Sequence, residues 1–115
     1  MAETVPALER LINKLTKENL WLYILRLLQE RPMYGYEIRK EIKERFGFNP
    51  AVVTAYVVLY KMQVEGLVTT KWEKSSRGRP DRKYYEITPE GEELMKKAKN
   101  FLKDLFEKVF DKTEI

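Results

Sequence analysis

A mainly α (α+β) fold, with short helices leading into a β-hairpin and a long final helix, is predicted by three features of this 115-residue chain. Apolar residues recur at helical spacing up to about residue 65, and the pattern then shifts toward alternation over residues 67–88. A threonine followed by proline (Thr88, Pro89) next reopens a helical stripe. Between the two alternating stretches, residues 75–81 (Ser-Ser-Arg-Gly-Arg-Pro-Asp) form a turn by composition.

Residues 6–15, with Val5, Leu8, Leu11, Ile12 and Leu15 at helical spacing, read as a short amphipathic helix. Thr16 stands as N-cap of a second helix, residues 17–30. There Leu20, Trp21, Ile24, Leu25, Leu27 and Leu28 cover more than one face, so this helix is expected at the centre. Pro32 ends it, and a third helix is expected over residues 35–46, with Gly47 as its left-handed cap. Asn49 and Pro50 offer a capping side chain and a preset φ for a fourth helix, residues 50–65. Its stripe of Val52, Ala55, Leu59 and Met62 is assigned to the core. Two helices joined by a tight turn make a helix-turn-helix, and the strands at 67–74 and 82–88 add a two-stranded wing. The last helix, residues 89–111, should run about 33 Å. Gly91 weakens its first turn. The chain is thus expected to be one domain: an N-terminal helix (1–16), a winged helix-turn-helix (17–88) and a terminal helix (89–115).

Histidine and cysteine are both absent, which removes the commonest general base, the commonest metal ligand and any disulfide. The remaining carboxylates are scattered among lysines on helix faces, so neither an enzyme nor a metal or other cofactor is expected. No apolar run reaches membrane-spanning length and the N-terminus lacks the pattern of a secretory signal. The expected location is cytoplasmic. Net charge is +4, and it is focused: residues 31–88 carry twelve basic and seven acidic side chains, with Lys71, Lys74, Arg77, Arg79, Arg82 and Lys83 around the wing. Such focusing suits an anionic polymer as partner.

Five segments in order then resemble those of PadR-type transcriptional regulators: Met33-Tyr34-Gly35-Tyr36-Glu37-Ile38, Thr54-Ala55-Tyr56, Glu65-Gly66-Leu67-Val68, Gly78-Arg79-Pro80-Asp81-Arg82-Lys83-Tyr84-Tyr85 and Thr88-Pro89-Glu90-Gly91. The resemblance spans about residues 19–110. It implies a homodimeric winged-helix repressor of the shorter type, dimerised by its single C-terminal helix on a pseudo-palindromic DNA operator. Val53 and Val57 depart from the glycine and proline common there, so no operator sequence carries over. The resemblance also implies that some members bind phenolic or flat aromatic effectors near the dimer interface, where Trp21 would be the stacking residue; the alternative is a plain core tryptophan.

Candidate DNA contacts follow. On the fourth helix, Thr54, Val57, Tyr60 and Lys61 point away from the core stripe, either into a major groove or, for Val57 and Tyr60, against the wing or first helix. Tyr56 is either a phosphate donor or a half-buried structural ring, and Asn49 either a helix cap or a contact beside phosphate. In the wing, Arg77, Arg79, Arg82 and Lys83 are candidates for phosphate or minor-groove contact, although alternation sends either Arg82 or Lys83 to the far side. Either Tyr84 or Tyr85 should be core for the same reason. Tyr34 and Tyr36 flank Gly35, and Tyr36 is a further phosphate candidate.

The terminal stripe of Leu94, Ala98, Phe101, Leu102, Leu105, Phe106, Val109 and Phe110 exceeds what a small core can cover, so pairing with a second copy is expected, aided by Leu8 and Leu11 of the first helix. Two other functions fit the same residues: a protein-interaction module that uses this stripe, and non-specific architectural DNA binding.

Overall fold

The computed structural model describes residues 5–75, 78 and 80–111. At its centre lies helix α2 (Leu20–Leu28), which buries Leu20, Ile24, Leu25, Leu27 and Leu28. Apolar residues all around the cylinder leave it no solvent face wide enough to stay outside, so other elements pack on more than one side. Those elements are α3 (Gly35–Glu41), which continues through a π-helical turn at Ile42–Phe46, and α4 (Val52–Val64). Strand β3 (Arg82–Ile87) and the start of α5 (Pro89–Phe110) complete the enclosure. Ile38, Ile42, Ala55, Leu59 and Met62 join the α2 residues in one core. Ahead of them, α1 (Pro6–Leu15) buries no residue at all.

The wing is a three-stranded antiparallel sheet rather than a lone hairpin. Strand β2 (Val68–Glu73) pairs with β3, and β3 also pairs with β1 (Met33–Tyr34), Met33 opposite Tyr85. A two-residue strand has no periodicity to read, so the sequence gives no sign of β1. Alternation is otherwise as expected: Val68 and Tyr85 face the core and are buried, whereas Tyr84 faces outward.

Several local expectations are corrected. Thr16 does not open α2. Its hydroxyl donates to the Ile12 carbonyl at 2.7 Å and so closes α1, while a 3₁₀ turn at Lys17–Asn19 leads into α2. The third helix widens to π geometry over its last five residues, and Gly47 then takes the left-handed conformation expected of it (φ 80°). Helix α4 begins two residues later than expected, with Ala51 at the N-cap. Pro50 stays outside the helix and is buried, so Asn49 is too far upstream to cap it and Val52, in the first turn, is exposed rather than core.

The start of α5 is held more firmly than Gly91 alone implies. Thr88 Oγ1 accepts from the Gly91 amide (3.0 Å) and donates to the Gly66 carbonyl (2.6 Å), tying the helix to the end of α4. A Cβ at Gly91 would fall 2.5 Å from the Leu67 carbonyl oxygen and 2.7 Å from an Ile87 side-chain carbon. Glycine stands there because helix and backbone meet without room for a methyl group.

Candidate nucleic-acid interface

Helix α4 turns one stripe inward and the rest outward. Ala55, Leu59 and Met62 are buried, while Thr54, Val57, Tyr60 and Lys61 are all exposed, Tyr60 at 67%. Val57 is 47% exposed. A helix apolar all round normally buries more than one face. Here Val53, Val57, Tyr60 and Val64 are all exposed among the described residues.

Tyr56 sits on the border of that face. A Cβ built at Gly35 would come within 2.6 Å of its ring carbons, so the ring lies directly on the Gly35 backbone. The side chain remains 45% exposed. It is therefore half-buried and yet reaches solvent, and it also stands near Tyr85, whose hydroxyl is pushed above its ordinary pKa by burial first and by Tyr56 second.

Asn49 joins two surface grooves. One, of about 190 Å³, runs over the start of α4 and is lined by Lys17, Asn49, Pro50, Ala51 and Thr54. The other, of about 350 Å³, lies along α3 and its π turn between Tyr36, Arg39, Lys40, Lys43, Glu44 and Asn49. Tyr36 is exposed there and stacks on Tyr34 at 6.3 Å between ring centres. Arg39, Lys40 and Lys43 were not marked by sequence reasoning. A helix with mixed Lys and Glu looks like any solvated helix face until its neighbours are known.

Within the wing the two cations of β3 separate as alternation requires. Lys83 lies on the core-side face beside Trp72 and Tyr85, its ammonium 6.0 Å and 5.6 Å from their ring centres. Arg82 lies on the opposite face, its guanidinium 4.6 Å from the centre of the Tyr34 ring. A hydrogen bond with Tyr84 raises the Arg82 pKa further above its ordinary value. Arg77 and Arg79 lie outside the described residues.

The apolar stripe of α5 is covered only near its start. Leu94 and Ala98 are partly buried, whereas Phe101, Leu102, Leu105, Phe106, Val109 and Phe110 are exposed, Phe106 at 65%. Leu8, Leu11, Ile12 and Leu15 of α1 are exposed as well. Trp21 is partly buried against the core and lines an apolar groove of about 410 Å³ with Leu15, Leu22, Leu94, Phe101 and Leu102. No group of acidic side chains suited to a metal ion occurs among the described residues, and no described helix is long and apolar enough to cross a membrane.

This order of elements, helices α1 to α4, a wing and a long final helix, is that of a winged helix-turn-helix. Residues 24–97 match the model of the transcriptional regulator PadR-like family. The chain belongs to that family. A PadR-like transcription factor from Bacteroides fragilis superposes with a TM-score of 0.74 at 29% identity, covering 87% of this chain and 95% of that one. A transcriptional regulator from Clostridium thermocellum gives 0.69 at 30% identity over 82% of this chain and 91% of that one. An uncharacterized protein of Lysinibacillus sphaericus is 37% identical over 70 residues, 59% of this chain; the match spans 63% of that relative's length. PadR-like proteins are transcription regulators, and this is a PadR-like winged helix with a long C-terminal helix.

Proposed function

We propose that this PadR-like protein is a sequence-specific DNA-binding repressor that acts as a homodimer on a pseudo-palindromic operator. The observation that carries the reading is the outer face of α4, where Thr54, Val57, Tyr60 and Lys61 stand exposed above the buried stripe of Ala55, Leu59 and Met62. A purely solvated helix face has no use for bare valines and a bare tyrosine, whereas methyl groups, a hydroxyl and an ammonium read base edges in a major groove. Asn49 and Tyr56 flank the face at its start and donate to backbone phosphate. Lys83, Arg77 and Arg79 extend contact through the wing, and Arg82 with Tyr36 does so on the side of α3.

The open halves of α1 and α5 support the homodimer. Leu8, Leu11, Leu94, Ala98, Phe101, Leu102, Leu105, Phe106 and Val109 form its seam, because apolar surface on this scale is unstable in water without a partner. A second copy related by a two-fold axis presents two α4 helices about one DNA turn apart. The Trp21 groove, apolar and adjoining this seam, suits a small flat aromatic effector that relieves repression.

Binding to duplex fragments selected from genomic DNA tests the reading. Thr54→Ala and Lys61→Ala are expected to change preference between sequences, and Arg79→Ala to weaken all of them alike. Variants of α4 that leave both affinity and preference unchanged would contradict the assignment of its outer face.

A further inference from the structure

The cations on and around α3 divide into two groups by what they touch. Arg26, Arg31 and Arg45 are each engaged by carboxylates: Arg26 and Arg45 by Glu30, and Arg31 by Glu37. Arg45 binds Glu30 through two nitrogens, at 2.8 Å and 2.6 Å. Arg39, Lys40 and Lys43, on the same stretch of chain, have no ion pair or hydrogen bond from their side chains among the described residues. They line one groove with Tyr36 and Asn49, where Glu44 is the sole acidic side chain. The Arg39 Nε is buried and has no hydrogen-bond partner. An unsatisfied buried donor on a cation costs free energy.

From these observations we infer that Arg39, Lys40 and Lys43 grip the phosphodiester backbone of the duplex that receives α4. This rests on the DNA-binding reading and adds a site to it. Asn49 lines this groove and also the one at the start of α4, together with Thr54. A backbone lying in the α3 groove thus runs directly past the N-terminal turn of the helix proposed to read bases. Such a path has one helix lie along the backbone while its neighbour enters the groove. Guanidinium and ammonium groups with free donors suit phosphate oxygens, and the Tyr36 hydroxyl adds another donor.

Fluorescence anisotropy with a mixed-sequence duplex, which isolates phosphate contacts from base reading, tests this. The exposed double variant Lys40→Ala/Lys43→Ala is expected to bind more weakly, with a salt-dependence slope shallower by about 2 and unchanged preference between sequences. Arg39→Gln should lower the slope by about one more, with circular dichroism and thermal melting checking that it folds. If the wild-type protein binds duplex DNA and the double variant keeps its slope, the α3 site is wrong while the DNA-binding reading stands. If the wild type binds no duplex at any salt, both fall. Should duplex affinity be unchanged while calorimetric binding of inorganic phosphate is lost in the double variant, the groove serves a small anion and the inference is overturned.

Discussion

Gly35 shows how a single missing methyl group shapes the reading surface. The Tyr56 ring rests on its backbone, so Gly35→Ala must displace the outer end of that ring. Overpacking of this kind costs typically 1–3 kcal/mol, about the lower half of which is expected here because the ring edge is exposed. The expected result is a modest drop in thermal midpoint together with a clear loss of duplex affinity; a drop in stability with affinity intact would mean that Tyr56 is purely structural. A different residue gives a pH signature. The Arg45 side chain, hydrogen-bonded to Glu30, holds that carboxyl below the ordinary carboxylate range. A folded-state pKa lower than the unfolded one contributes stability above the unfolded value, and that contribution is lost as pH falls through the folded one. Glu30→Gln should therefore lower the melting midpoint at neutral pH, and the gap from wild type should close in acid. A gap independent of pH would show that shape rather than charge holds the pair together.

At the scale of elements, what was legible in the sequence was whatever depends on a short periodic pattern. Helices α1, α2, α4 and α5 and the strands β2 and β3 all come within a few residues of the expected bounds, because burying a face imposes its spacing on the residues. What was not legible is decided by tertiary contact. Strand β1 exists only because β3 offers it an edge, and the widening of α3 at Ile42 has no local sequence cause that we recognise. Asn49-Pro50 carries every local mark of a helix start, yet burial of Pro50 moves the start to Val52. The candidate interface divides the same way. The outer residues of α4 followed from its stripe, but Arg39, Lys40 and Lys43 became notable only once their carboxylate neighbours proved to be engaged elsewhere. For α5, the Thr88 cap is the feature to test. Thr88→Val removes both of its hydrogen bonds and leaves the Gly66 carbonyl and the Gly91 amide without them. A loss of about 1–2 kcal/mol in chemical denaturation is expected, and none would show that the helix start is held by packing alone.

Over the whole molecule, dimensions of 64 × 37 × 21 Å reflect helices that reach beyond the core. α1 is tied on at its end, where the Tyr23 hydroxyl donates to the Leu15 carbonyl and Asn19 donates to the Lys14 carbonyl. Its apolar residues and the outer half of α5 then wait for a partner surface. Phe101→Glu/Phe106→Glu places four like charges in the proposed seam of a pair, and sedimentation should report a monomer where the wild type is a dimer. A wild-type monomer at all concentrations would instead point to a different partner chain for this stripe.

The most direct test is the affinity ratio, at one salt concentration, between a duplex that the protein selects from genomic DNA and a scrambled duplex of the same composition. A sequence-reading α4 predicts a preference of about a thousandfold or more for the selected duplex. Equal affinity for the two would contradict it, and would leave the charged surfaces to hold DNA without regard to its sequence.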